Sequence, residues 1–310
     1  GQIYAEFGYG QEDAAAIRSF LAYAQANWIA PAPRFVLLAG DASYDIHNLL
    51  DGKNSNLLPT QLVQLPRGYA SSDTWYVLGE NGLPALAIGR FPAQTAEQLQ
   101  IMVAKTLAYE ANGRSYWINR ALFVSDAEPD YDQFNTGLAA HLQNEGYEIN
   151  ALQLGQNDST HYDLMGALAK GVGLINYAGE GYVSQWGDGQ VFTGDDVAML
   201  ANNGHTPIFT TFTCNNGAFA EPETDSLAEN LLWVEEGGVV AAIAPTSTGS
   251  PPALTPLGDL FYAELLKNEV DTVGEALLNA QTAAAGDPGL QDAILVVNLL
   301  GDPALRLQRP

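Results

Sequence analysis

The sequence predicts an α/β fold of two adjacent three-layer α/β subdomains, each on a mostly parallel sheet, divided as residues 1–115 and 116–310. Three observations carry this expectation. Short apolar runs alternate with segments of helical periodicity almost throughout, the pattern of strand–helix units wrapped around a parallel sheet. A hydrophobic fraction of 47% and a mean hydropathy of -0.05 suit a globular chain with ample core. Asn112-Gly113-Arg114-Ser115 reads as a helix stop and a linker, after which a second series of the same units begins.

The elements follow in order. Apolar residues at helical spacing from Asp13 to Ile29 predict a helix, stopped by Pro31 and Pro33. Phe35-Val-Leu-Leu38 is a buried strand released by Gly40-Asp41. The polar stretch from Ile46 to Ser72 is too long for a plain connection and is expected to be a functional or packed loop. Leu83 to Gly89 is the next strand, and Thr95 caps a helix reaching Ala111, with Glu97 and Gln98 in its first turn. In the second half, strands are expected at 121–124, 147–154, 173–177, 207–213 and 238–244. Helices are expected at 132–144, 162–170, 193–201, 225–236, 255–267 and 272–285. An apolar run from Ala293 to Leu300 meets Gly301-Asp302-Pro303. The start at Gly1-Gln2 and the end at Gln308-Arg-Pro310 read as the limits of a trimmed piece.

Composition narrows the function. Thirty-six acidic against twelve basic side chains give a net charge of -24. That field repels nucleic-acid phosphates and anionic membranes, and it draws basic ligands. No apolar run is long enough to span a membrane. Phosphate-cradling glycine loops, His-Glu-x-x-His, Cys/His clusters and Gly-x-Ser-x-Gly are all absent from the sequence, which disfavours nucleotide, zinc and serine-hydrolase chemistry. No cofactor is required. Acidic groups at Asp41, Asp45 and Asp51, or at Asp188, Asp195 and Asp196, offer oxygen ligands of the kind calcium takes, although no EF-hand spacing is present.

The single cysteine sits where chemistry is expected. Pro207-Ile-Phe-Thr-Thr-Phe-Thr213 runs as a strand into Cys214-Asn-Asn-Gly217, and Gly173-Leu-Ile-Asn-Tyr177 runs into Ala178-Gly179-Glu180-Gly181. Catalytic groups of open α/β sheets gather at the carboxyl ends of strands. A thiol at one such end and Gly-x-Gly at another suit a cysteine nucleophile and its base, with a glutamate where a histidine would be expected.

These residues resemble the catalytic core of gingipain-type cysteine peptidases, a family of the caspase-like clan. The likeness extends through Gln185-Trp186-Gly187, Tyr4 to Gly10, Val36-Leu-Leu-Ala-Gly-Asp41, Ser72-Asp73-Thr-Trp-Tyr76, Leu86-Ala-Ile-Gly-Arg90 and Leu299-Leu-Gly-Asp-Pro-Ala304, in the family's order and over nearly the whole chain. It implies that the second subdomain is caspase-like and that the protein is secreted or on the cell surface. It also implies peptide-bond hydrolysis with Cys214 as nucleophile and the N–H groups of Gly181 and Cys214 as the oxyanion hole. Glu180 takes the histidine's place. Asp126 or Glu128 falls where an acid orients that histidine. Asp132 matches the pocket aspartate of arginine-specific members, and it also suits a helix N-cap. Trp186 is expected in the wall of the site. The partner implied is a peptide or protein, preferentially basic.

The glutamate alters the chemistry. A thiolate is the reactive form, and an imidazolium beside it stabilises it, whereas a carboxylate raises the thiol pKa. An ordinary glutamate, at about 4.3, faces a gap of roughly four units to a thiol at about 8.5 when asked to take its proton. Ionised, it also holds no proton for the departing amine. His205 precedes the strand that ends at Cys214, which puts it about 20 Å from the thiol at roughly 3.3 Å per residue, at the opposite sheet edge. His47, His141 and His161 lie on other elements. Two readings stand: a cysteine endopeptidase domain disabled at position 180, or a non-catalytic module that binds peptide or serves as a scaffold.

Overall fold

The computed structural model describes all residues of the chain except 51, 53–55, 112–114, 155–158, 190 and 250. The predicted linker at 112–114 and the candidate ligand Asp51 lie outside the described residues. In chain order the strands are β1 (Phe35–Ala39), β2 (Gln61–Leu65), β3 (Gly68–Ser72), β4 (Ala87–Phe91), β5 (Arg120–Ser125), β6 (Glu148–Gln153), β7 (Leu174–Ala178), β8 (Gln185–Trp186), β9 (Phe192–Thr193), β10 (Ile208–Thr211), β11 (Ala241–Pro245) and β12 (Val297–Leu300). The helices are α1 (Gln2–Phe7), α2 (Ala14–Asn27), α3 (Ala96–Ala111), α4 (Pro129–Asn144), α5 (Thr160–Lys170), α6 (Gly194–Ala198), α7 (Leu227–Trp233), α8 (Pro251–Leu265), α9 (Val273–Ala284) and α10 (Gln291–Val296).

Eight strands form one sheet in the order β1-β4-β12-β11-β10-β7-β5-β6. Every described pairing in it is parallel except that of β11 with β12. The sheet is therefore two parallel blocks of opposite direction that meet at one antiparallel seam. Residue 115 separates the strands by chain segment but not by sheet, because β4 of the first segment pairs with β12 of the second at Arg90 and Leu300. The predicted last apolar run divides between α10 and β12 with no loop between them.

Helices cover both faces, and the strands alternate between them as the two-residue period requires. Ala121 and Phe123 of β5 join the core under α4, α8 and α9, while Leu122 and Val124 join the core under α5, α6 and α7. A third cluster packs α2 against β1 and β4 through Ile17, Val36, Leu38 and Ile88. The later part of the long polar stretch forms the β2–β3 hairpin, and Arg90 clamps the segment at Leu58 and Pro59 that leads into it. That guanidinium, fully buried, pairs with both carboxylate oxygens of Asp73 at 2.7 Å and donates to the carbonyls of Gly40 (2.7 Å), Leu58 (2.9 Å) and Pro59 (3.2 Å). Saturating its donors in this way offsets the cost of burying the charge.

From β5 the chain goes outward to β6, then returns to β7, β10 and β11 on the other side. This reversal is a topological switch point, and loops at the carboxyl ends there form the natural crevice of an open α/β sheet. The segments after β5, β7, β10 and β11 all converge on it.

Candidate active site

Cys214 follows β10, and Glu180 and Gly181 follow β7, its parallel neighbour through Ile208↔Leu174 to Thr211↔Tyr177. The two turns touch. A Cβ added to Gly181 would lie 2.3 Å from the Cys214 carbonyl oxygen and 2.8 Å from Thr213 Oγ1. Only glycine permits that approach. The N–H groups of Gly181 and Cys214 have no acceptor among the described residues, so both are available to a developing oxyanion.

The thiol is half-buried. Its Sγ donates to the Gly249 carbonyl at 3.1 Å and accepts from the Gly249 N–H at 3.4 Å. The carbonyl favours the protonated thiol and the N–H favours the thiolate. Burial pushes the thiol pKa up, the Gly249 N–H opposes this, the Glu180 charge raises it further and the Arg67 charge pulls it down. The net direction is upward, so the thiol is held protonated over a wider range than a free cysteine.

Glu180 is exposed at the side chain but fixed at the main chain. Its N–H donates to Asp126 Oδ2 at 3.0 Å. Its carbonyl accepts from the Gly187 N–H at 2.8 Å and from the Tyr177 hydroxyl at 2.7 Å. The carboxylate accepts from the Tyr131 hydroxyl at 3.1 Å. Burial, followed by the Glu180 charge, raises the Tyr131 pKa, which keeps that hydroxyl a donor. Asp126 thus contacts position 180 through backbone, whereas Glu128 is exposed and acts as the N-cap of α4 without a side-chain capping bond.

Asp132 is not the cap of α4; it lies in the first turn, and Ser125 Oγ donates to its Oδ1 at 3.3 Å. With Ser125, Asn135 and Gln153 it lines a cleft between α4 and β6. Trp186 is 1% exposed, stacked on Tyr177 with ring centroids 4.4 Å apart, and packed against Phe192 and Phe209. The expected wall residue is therefore core beneath the loop, and it offers no face to a substrate. Tyr131, Gly249 and Arg67 are the site residues that sequence reasoning missed. Their contacts cross 49 residues for Tyr131–Glu180 and 35 for Gly249–Cys214, separations that no local signal encodes.

Four of the described candidate calcium acids have partners within the fold. Asp41 is buried beside Gln94 and Glu229, Asp45 caps Leu49 and Leu50, Asp188 accepts from Tyr182, and Asp196 closes a capping box with Thr193. Among the described residues no group of three or more His, Cys, Asp or Glu side chains is placed to hold a metal. No described helix is long and apolar enough to cross a membrane.

Comparison with known proteins identifies the family. The family model for peptidase family C25 matches residues 1–308. This chain belongs to peptidase family C25. It is 28% identical over 184 residues to gingipain R2 and to gingipain R1 of Porphyromonas gingivalis, a stretch covering 55% of this chain but 25% and 18% of those proteins. Its matches thus span a quarter or less of these curated relatives. The crystal structure of the Arg-specific cysteine proteinase gingipain R superposes with a TM-score of 0.79 at 25% identity, covering 95% of this chain and 68% of that one. A structure titled as a protease matches at a TM-score of 0.80 and 18% identity over 96% of this chain and 70% of its own, a likeness of fold alone. The C25 chain is accordingly a gingipain-like cysteine peptidase domain with the caspase-like α/β fold.

Proposed function

We propose that this C25 domain acts outside the cell, secreted or surface-borne, and binds extended peptides without cutting them at an appreciable rate. The reading rests on one observation: a carboxylate, Glu180, stands beside Cys214 at the place where the family resemblance puts the catalytic histidine, and its charge adds to the burial that keeps the thiol protonated. Three further features support a peptide-binding site. Cys214 sits at a strand end, the Gly181 and Cys214 N–H groups have no acceptor among the described residues, and the net charge of -24 attracts basic chains. A carboxylate of ordinary basicity takes a thiol proton only at a steep energetic cost, and in its ionised form holds none for the leaving amine.

The test is Glu180→His, assayed beside the unmodified protein on arginyl, lysyl and neutral peptide substrates and with a thiol-directed probe. The unmodified protein should be inert and the variant should gain cleavage, by at least the 10²-fold or so that a positioned acid–base group contributes. Cleavage by the unmodified protein that Cys214→Ala abolishes would overturn the proposal. The same variant tests the neighbouring reading, a peptidase site disabled at a single side chain, which the intact thiol and free N–H pair favour; silence from Glu180→His would count against it.

A further inference from the structure

We infer that the cleft between the β2–β3 hairpin and the loop after Cys214 is a subsite for one basic side chain, lysine or arginine, of the bound peptide. The inference rests on the peptide-binding reading above and names a determinant of it. The cleft has a volume of about 320 Å³, at the small end of the range for ligand pockets and suited to a single side chain.

Its walls are tied by backbone hydrogen bonds to Asn215, the residue that follows Cys214. Ala218, in one wall, donates its N–H to Asn215, and Asn215 donates to Ser247, next to Thr246 in the same cleft. The opposite wall is the hairpin face bearing Leu62, Ser71 and Tyr69, set by the pairings Leu62↔Ser71 and Gln64↔Tyr69. The other hairpin face puts Val63, Leu65 and Ala70 into the core, which fixes the direction of the Tyr69 face.

The chemistry selects the occupant. Tyr44 and Tyr69 are exposed at 42% and 68% and give aromatic surface on which a methylene stem or a cation can lie. Thr246 already donates its hydroxyl proton within the fold, to Ser71 and Val296. The one charged group lining the cleft is Glu221, half-buried and within reach of the Tyr44 hydroxyl. Burial raises its carboxyl above the usual range, with Glu223 adding to the effect. An arriving cation would offset that penalty by pairing with the carboxylate in a partly desolvated setting. Among the described residues no Lys or Arg lines the cleft, so an acidic side chain or phosphate meets no cation there.

The experiment uses fluorescein-labelled hexapeptides in which a single arginine, citrulline or phenylalanine is moved through an alanine–serine background, with binding to the unmodified protein and to Glu221→Gln read by anisotropy. Citrulline keeps the shape of arginine and removes its charge. At one position arginine should bind about tenfold tighter than citrulline, and Glu221→Gln should reduce the ratio to about twofold or less. Tyr69→Ala, at an exposed site, should weaken the arginine peptide about threefold at that position only. A ratio unchanged in folded Glu221→Gln, or a uniform loss with Tyr69→Ala, overturns the subsite while leaving peptide binding in place. Stronger binding of phenylalanine than arginine at that position assigns the cleft to apolar side chains and also overturns it. Failure of every peptide to bind overturns both this inference and the reading on which it rests.

Discussion

Replacing Glu180 by glutamine removes the negative charge facing Cys214 while keeping side-chain length and an oxygen for the Tyr131 hydroxyl, 3.1 Å away. Two influences raise the thiol pKa, burial first and the Glu180 charge second. The substitution removes only the second, so the pKa should fall while burial continues to hold it up. Because Glu180 is exposed, its coupling to the sulfur is discounted to the range of surface charge pairs, about 0.2–1 kcal/mol. That coupling limits the gain in thiolate at neutral pH to about fivefold. A less basic thiolate is also a weaker nucleophile, with a Brønsted slope of about 0.4–0.5, so the alkylation rate at fixed pH should rise only about twofold. The informative quantity is therefore the midpoint of the pH–rate profile with iodoacetamide. Cys214 is the sole cysteine, so intact-protein mass reports on it alone. A midpoint that stays put or rises in Glu180→Gln would refute the assigned role of the carboxylate, and a midpoint below the free-thiol value in the unmodified protein would refute the whole electrostatic account.

Two further predictions concern the scaffold. Gly181→Ala places a methyl 2.3 Å from the Cys214 carbonyl oxygen, and the forced shift should cost about 1–3 kcal/mol in urea unfolding; an unchanged midpoint would mean that the two turns are not in contact. Asp41, buried beside Glu229, has its carboxyl raised from 3.8 to about 7, chiefly by burial. Between those values the native state holds a proton that the unfolded chain releases, so this contribution to stability is full below about 3.8 and is lost as pH rises through about 7. Asp41→Asn should flatten the decline in stability between about pH 5 and 8, and an equally steep decline in the variant would show that the buried pair is not its source.

Much of the fold was legible because its signals are local. The helical spacing from Asp13 to Ile29 became α2, and the apolar runs ending at Leu38, Tyr177 and Thr213 became β1, β7 and β10, each within a few residues of expectation. The adjacency of Cys214 and Gly181 was also legible, since parallel neighbours bring their carboxyl ends together. Signals failed where the deciding contact lies far along the chain. Nothing near Arg90 announces that β4 pairs with β12 and joins both segments into one sheet. The β2–β3 hairpin was hidden in a polar stretch because its pairing carries no strong alternation on the exposed face. Asp132 satisfies the composition rule for a cap, yet Pro129 starts the helix three residues earlier, as its fixed φ favours at a first turn. Trp186 looked like a wall because it follows the Glu180 turn. The stack with Tyr177, reached through the small β8–β9 ribbon, turned it inward.

The site separates scaffold from chemistry in a specific way. Asp126 takes the N–H of residue 180, Gly187 and Tyr177 take its carbonyl, and none of these bonds depends on the side chain carried there. Among the described residues the Glu180 side chain has one hydrogen-bond partner, the Tyr131 hydroxyl, which can serve a carboxylate or an imidazole nitrogen equally. The Gly181 and Cys214 N–H groups are likewise indifferent to residue 180. A carboxylate at this position therefore costs the fold little while reversing the sign of the field that an imidazolium would place at the sulfur. Peptide binding, which draws on surface and backbone groups, can persist where thiolate chemistry does not. For that reason affinity measurements on the unmodified protein and turnover measurements on Glu180→His address different halves of one site.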